Sequence, residues 1–391
     1  MNIAFFCIPA HGHTNPTLAV VRELTARGHA VRYYTTEAFR AKVEAAGAVF
    51  VPFDAEAARP GMTAADGARL GSDLAFSTKL IVDLTLAADG WLSRELTAHR
   101  PDVIVGDSMA FWAKLAAKKH GIPFVSSTTT FAFNRFSAKV IGQNGAGLLQ
   151  FLLAQPKINR QLKRLRAAGY AVKSVFDLIA NDNETETIVY TSPELQPCAD
   201  TFSEKYHFVG PLLRPAQSSF EKLPGRSLVY ISLGTVNNDA LPFYCACLAA
   251  FGGDPRFQLV LSVGSQVDLA ALGPIPESCT VRASVDQMAV LDRADVFLTH
   301  CGMNSASEGL WHGLPLVLYP QTPEQHGVAN RVAALGAGVL LTDPSADGIR
   351  RAVETALTDP AYRENARKLA DGFRRCGGAA EAADAIEHAA K

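Results

Sequence analysis

An α/β chain of two doubly wound units, each on its own parallel sheet, is the fold the sequence predicts, and three observations carry it. Short apolar runs rich in Val, Ile, Phe and Tyr alternate with segments of helical periodicity along most of the chain. The rhythm stops at residues 207–227, where Gly210, Pro211, Pro215, Pro224 and Gly225 fall in a stretch with little periodicity, and then starts again. The length, 391 residues, exceeds what one core usually serves at roughly 100 to 200 residues per domain. The boundary is expected near residue 215, giving units 1–214 and 215–372 and a helical tail over 373–391.

In the first unit NIAFFCI, AVRYYTT, VFVPF, DVIVGD and PFVSST read as strands. TLAVVRELTARG between the first two has helical spacing, with Pro16 suited to its first turn and Gly28 to its end. The second unit repeats the pattern with SLVYISLG, FQLVLSVG, ADVFLTH, PLVLYP and GVLLT. In open parallel sheets ligands sit beyond the carboxyl ends of the strands, so two such sheets facing each other would make a cleft lined from both halves.

With 37 Lys plus Arg against 38 Asp plus Glu, and a formal net charge of -1, no global field gathers nucleic acid or an anionic membrane. Cys7, Cys198, Cys245, Cys247, Cys279, Cys301 and Cys376 form no Cys-x-x-Cys pair and read as reduced core or loop thiols. The opening MNIAFFCIPA lacks a basic leader, and no run of eighteen apolar residues follows, so the expected location is cytoplasmic with no membrane span.

Residues 294–325 carry the densest signal. A strand ends at Thr299 or His300, a loop of small residues follows, and a helix is expected from about Ser305, closed by Gly313 and Pro315. Ser305 and Glu308 have the spacing of a capping box, which is their purely structural reading. A helix N-terminus after a strand is also a phosphate site, to which His300, Asn304 and Ser305 add donors while Gly302 permits close approach. Glu324 and Gln325, past the next strand, pair a carboxylate with an amide and suit adjacent sugar hydroxyls. Together the loops point to a nucleotide sugar.

At this point the sequence resembles the bacterial macrolide and flavonoid glycosyltransferases, a branch of the UDP-glycosyltransferases (glycosyltransferase family 1) with the two-domain GT-B fold. The residues that carry the likeness are GHTNP at 12–16, SLGT at 232–235, VDQ at 285–287, THCGMNSASE at 299–308 and PQTPEQ at 320–325. By that resemblance His300, Gly302, Asn304 and Ser305 hold the diphosphate, Glu308 the ribose hydroxyls, and Glu324 with Gln325 the transferred sugar. Gln287 lies near the nucleoside, the Val285 backbone faces the base, and Ser232 and Thr235 border the diphosphate and sugar. Relatives often carry an aromatic residue where this chain has Ser284 and a proline where it has Asp286, so base stacking is not provided in the usual way. Arg282 is one candidate to cover the ring face. UDP and TDP both stay open.

PAHGHTNP, residues 9–16, supplies what such a reaction lacks, a base for the acceptor hydroxyl. His13 is expected in a loop just before the helix that Pro16 opens, where the helix dipole helps keep the ring neutral. Asp107 ends a predicted strand and is able to accept the Nδ1 proton. The resemblance assigns these two residues a catalytic dyad. His11 reads as a loop-shaping residue, and His312 and His326 as satisfied surface or loop histidines.

No Asp-x-Asp signature occurs, so no metal and no tightly bound cofactor is expected, only a UDP- or TDP-sugar as donor. Attack by the activated hydroxyl would invert the anomeric carbon. Met109, Phe111, Phe131 and Phe133, together with Phe76, Trp112 and Phe136, are candidates for an apolar acceptor pocket. Ser126, Ser127 and Thr128 are alternatives for reaching the donor.

The resemblance implies transfer of a hexose, with glucose from UDP-glucose the expected case, to a hydroxyl of a macrolide, polyketide or flavonoid acceptor. It also has the terminal helix pack back on the first domain. A monomer or weak dimer is expected, with no nucleic-acid partner. The alternatives are a TDP-deoxysugar-dependent antibiotic glycosyltransferase and a non-catalytic nucleotide-sugar-binding helper. A dinucleotide-dependent oxidoreductase is disfavoured, because no G-x-G-x-x-G follows the first strand.

Overall fold

A computed structural model describes residues 1–53, 73–134, 136–137, 146–179, 181, 183–235 and 238–391, the side chains of 146–153 and 179 excepted. They form two compact units, Met1–Tyr190 with Cys198–Leu212 and Gly377–Lys391, and Thr191–Pro197 with Leu213–Cys376.

In the first unit the elements run β1 (Asn2–Phe6), α1 (His11–Ala26), β2 (Ala30–Thr35), α2 (Arg40–Ala45), β3 (Val49–Pro52), α3 (Leu74–His99), β4 (Val103–Asp107), α4 (Phe111–His120), β5 (Phe124–Thr128), α5 (Ala146–Ala167), α6 (Phe176–Ile179), β6 (Thr187–Val189) and β7 (Tyr206–Phe208). The sheet is parallel throughout, in the order β3-β2-β1-β4-β5-β6-β7. Strand β1 is apolar on both faces because helices cover both. Ile3 and Phe5 enter a core with Val20, Val21 and Leu24 of α1, while Ala4 and Phe6 enter another with Leu92 and Trp112. Strands β6 and β7, three residues each, are too short to show a period in the sequence.

In the second unit they run β8 (Ser227–Ser232), α7 (Leu241–Phe251), β9 (Phe257–Ser262), β10 (Cys279–Arg282), α8 (Gln287–Leu291), β11 (Val296–Thr299), α9 (Met303–Trp311), β12 (Leu316–Leu318), α10 (Pro323–Ala334), β13 (Gly338–Leu340), α11 (Ala346–Thr358) and α12 (Pro360–Arg375). This sheet is also parallel, in the order β10-β9-β8-β11-β12-β13. The segment Thr191–Pro197 joins it through Arg331, whose guanidinium donates to the carbonyls of Leu195 and Glu194, each at 2.9 Å. A seven-residue excursion of this kind leaves no periodic trace in the sequence.

The terminal helix α13 (Gly378–Ala389) belongs to the first unit. Its Ala382, Ala383 and Ile386 join the core of β1 and α1, and Arg27 at the end of α1 donates to Asp384 at 2.6 Å and to the Ala380 carbonyl at 3.1 Å.

Helix α9 lies close on its sheet because Gly309 has no side chain. A Cβ there would come within 2.8 Å of the Phe297 ring on β11 and 2.9 Å of Leu316 Cδ2 on β12. We expect Gly309→Ala to lower stability by about 1 to 3 kcal/mol, read from the urea midpoint. An unchanged midpoint would mean that α9 is free to back away.

Candidate active site

Both sheets reverse their strand order once, between β1 and β4 in the first and between β8 and β11 in the second. Such switch points open a crevice at the carboxyl ends of the strands. His13 and Asp107 lie at the first, and Ser232 and His300 at the second.

In the first unit, α1 starts at His11, ahead of Pro16, so His13 belongs to its first turn and not to a preceding loop. The amides of His13 and Thr14 bond to the Ala10 carbonyl at 3.0 and 2.9 Å, which closes the turn before the proline is reached. Pro16 then sits inside the helix, where its ring removes one donor without ending the coil.

Pairing of Phe6 with Gly106 sets the ends of β1 and β4 side by side. There His13 Nδ1 meets Asp107 Oδ2 at 2.7 Å, with 17% of the His13 side chain and 0% of the Asp107 side chain exposed. Asp107 Oδ1 accepts the Met109 N–H at 2.8 Å. With the carboxylate as acceptor, the proton of a neutral imidazole lies on Nδ1. Burial pushes the Cys7 thiol and the Tyr33 and Tyr190 phenols upward, so these neighbours stay neutral.

Thr129, unremarked in the sequence, places Oγ1 3.0 Å from His13 Nδ1. Only the fold reveals it, since nothing in a run of three threonines marks the second.

His11 lies apart from this pair, exposed, with Nδ1 3.4 Å from Lys42 Nζ and its ring edge-on to Phe39. Burial and then the Lys42 charge lower its pKa. Among the acceptor candidates Met109, Phe133 and Phe136 are 46%, 52% and 41% exposed, whereas Phe131 and Trp112 are buried and Phe76 and Phe111 half-buried. Ser126, Ser127 and Thr128 are all buried, and Ser127 shares its hydroxyl with Tyr190 at 3.0 Å. Residues 71–72, 135 and 138–143, part of the segments expected on the acceptor side, lie outside the described residues.

In the second unit, Ser232 pairs with Thr299 across β8 and β11, which brings the Leu233–Gly234 turn beside His300. The imidazole occupies a slot between two glycines. A Cβ on Gly234 would lie 2.6 Å from its Cε1, and one on Gly302 2.6 Å from its Nε2. Cys301 between them is buried with φ 65°, a left-handed backbone that costs a non-glycine residue about 1 to 3 kcal/mol.

Burial pushes the His300 pKa down to about 4. The Ser232 backbone opposes this, and among the described residues Nδ1 is buried with no other hydrogen-bond partner. At neutral pH His300 therefore offers a ligand an N–H and no charge.

The following helix begins at Met303, two residues earlier than expected, with Gly302 as N-cap and the Ala306 amide bonded to the Gly302 carbonyl at 2.9 Å. The capping box between Ser305 and Glu308 is consequently absent. Ser305 falls in the first turn with Asn304, and Glu308 turns in the next toward Gln287. The Tyr230 hydroxyl donates to Gln287 Oε1 at 2.9 Å, and the Gln287 amide donates to the Glu308 carboxylate. Burial raises the Glu308 carboxyl above the usual range, against that amide and the Arg214 charge.

Asp286 accepts the N–H of Gln217 at 2.6 Å, the N–H of Ser218 at 2.9 Å and the Ser218 hydroxyl at 3.1 Å. Burial opposes its ionisation, but these donors and Arg214 hold the carboxyl below the usual range. Val285 is half-buried and Ser284 exposed. Arg282 turns Nη1 back to the Val281 carbonyl at 2.9 Å.

Thr235 is exposed beyond β8, and Glu324 is exposed in the first turn of α10. Gln325 forms a capping box with Thr322, its Oε1 accepting the N–H groups of Gln321 and Thr322 at 2.8 and 3.2 Å. Its amide NH2 is what it has left to offer a sugar.

His326 is exposed, but His312 is not the satisfied loop histidine expected: among the described residues its buried Nε2 has no partner, and burial lowers its pKa. It borders a groove of about 550 Å³ with Arg214, Met288 and Trp311, and this groove takes in none of the residues expected at the nucleotide. No described helix is long and apolar enough to cross a membrane.

Residues 258–387 match the C-terminal domain of erythromycin biosynthesis protein CIII-like proteins. The chain is 33% identical, over 99% of its length and 97% of the relative's, to the NDP-glycosyltransferase YjiC of Bacillus licheniformis. It is also 33% identical, over 99% and 86%, to demethyllactenocin mycarosyltransferase of Streptomyces fradiae. Among solved structures, the glycosyltransferase of kitacinnamycin superimposes with a TM-score of 0.85 at 31% identity, covering 99% of this chain and 98% of that one.

The fold and the relatives define a GT-B glycosyltransferase. The chain belongs to the bacterial macrolide-type NDP-glycosyltransferases of family 1.

The His300 environment has a consequence for stability. Its folded-state pKa lies below the ordinary 6.5, so the neutral ring stabilises the fold above that value, and this is lost as pH falls from 6.5 toward about 4. Urea titrations are expected to lose up to about 3 kcal/mol more over that window in the parent than in His300→Asn. Parallel profiles would place the acid lability elsewhere.

Proposed function

We propose that the protein is an inverting glycosyltransferase that moves a hexose, glucose from UDP-glucose first in line, to a hydroxyl of a hydrophobic natural-product acceptor. The observation that carries this reading is the 2.7 Å contact between His13 and a fully buried Asp107. His13 Nε2 takes the acceptor proton as the oxygen attacks the anomeric carbon, and Asp107 stabilises the imidazolium that forms. The bond from anomeric carbon to diphosphate breaks with its electron pair on the diphosphate, and an α-linked donor yields a β-glycoside.

The diphosphate is assigned to the first turn of α9, with His300, Asn304, Ser305 and the close approach at Gly302, bordered by Ser232 and Thr235. Glu308, oriented by Gln287, takes the ribose hydroxyls, and Glu324 with Gln325 the sugar. The first unit binds the acceptor, with exposed Met109 and Phe133 as its apolar contacts, and the second binds the donor. Exposed Ser284 favours a second reading of the donor, a TDP-deoxysugar, because it provides no aromatic face to select the base.

His13→Ala should lower turnover by ~10²-fold or more and leave UDP affinity by calorimetry unchanged. Asp107→Asn should lower kcat comparably, since an amide in that place presents a donor to Nδ1. Full turnover in His13→Ala would remove the base assignment. A screen of UDP-glucose against TDP-sugars with a promiscuous phenol, reading nucleotide release and glycoside mass, decides the donor.

A further inference from the structure

Among the described residues two oxygens lie within hydrogen-bond distance of His13 Nδ1, which carries one proton at most. Asp107 Oδ2 lies at 2.7 Å and Thr129 Oγ1 at 3.0 Å. If Thr129 donated to Nδ1, that nitrogen would be bare, and its lone pair would face a carboxylate oxygen at 2.7 Å. A protonated Nδ1 instead bonds chiefly to the carboxylate, the stronger acceptor, and shares the remainder with the Thr129 oxygen. The hydroxyl proton then turns away from the ring.

We propose that Thr129 is a positioning residue for His13, a role that rests on His13 being the base. Two acceptors at different angles fix the ring more tightly than one and hold it in the tautomer whose Nε2 is bare. When the ring takes the acceptor's proton, both are already oriented toward the new positive charge, so little reorganisation accompanies it. Thr129 is 3% exposed, which keeps water from replacing its oxygen.

Asp107 and Thr129 are the acceptors recorded at Nδ1 among the described residues. Cys7 and Tyr190, which lie near Asp107, are kept neutral by burial, and Cys7 pairs with Thr14. On the outer side Lys42 engages His11 and Asn15.

The test is an NMR titration of the His13 ring in the parent, Thr129→Val and Thr129→Ser, the resonance identified by its loss in His13→Gln. Valine keeps the shape and removes the oxygen, and serine keeps the oxygen. In Thr129→Val the ring should bind its proton about three- to tenfold more weakly, a pKa lower by about 0.5 to 1 pH unit, and serine should restore it. With UDP-glucose and a phenol that stays neutral over the range, kcat should fall by a similar factor while KM for UDP-glucose holds.

An unmoved titration in Thr129→Val overturns the proposal, as does a serine variant that behaves like the valine one, since methyl packing would then be the cause. His13→Ala separates the two levels. Its full activity would discard both the base and the helper, whereas its inactivity beside an unmoved Thr129→Val discards the helper alone.

Discussion

Asp107 ends a strand that water does not reach, and a carboxylate in such a place is costly unless hydrogen bonds meet it. It has the Met109 amide on one oxygen and the His13 ring on the other. The Met109 amide is local, two residues on, but the ring would not be there without the strand order. The chain passes from β3 through α3 to the far side of β1, and only that crossover sets β4 against β1 with their carboxyl ends level. The helix that follows β1 then delivers an imidazole from its first turn. One topological choice thus places the histidine, its partner and the positive end of a helix at a single point.

The second unit applies the same topology to a different electrostatic task. At the junction of β8 and β11, His300 is squeezed between Gly234 and Gly302 and pushed toward neutrality by burial. A positive ring would bind an anion more strongly when occupied, but it would be costly to bury when empty. A neutral donor beside the amides of α9 avoids that cost. Gly309 serves the same arrangement from the opposite side, letting the helix lie against the sheet so that its first turn reaches the strand ends.

Asp286 illustrates how one constraint substitutes for another. A proline at that position would stiffen the loop before α8 through its ring. Here the carboxylate holds the backbone of Gln217 and Ser218 and so ties the loop to the segment that enters the second unit. The loop is held by hydrogen bonds and not by covalent geometry, so its position depends on that entering segment.

The two parallel sheets, their main strands and the restart after the proline-rich stretch were readable from the sequence, because apolar runs buried on both faces and amphipathic helices leave a period. So were His13, Asp107 and His300 as candidate residues, because strand ends followed by small or polar residues mark where such sheets bind ligands, whereas the residues around Glu308 suggested only a helix cap and the resemblance alone pointed to a ligand there. What lacked a period was hidden: β6, β7 and the excursion Thr191–Pro197. The start of α1 ahead of Pro16, the start of α9 ahead of Ser305 and the contact of Thr129 with the imidazole were decided only by tertiary structure. Helix starts depend on which carbonyl the first amides find, and that contact depends on strands far apart in the chain, distances that no local pattern encodes.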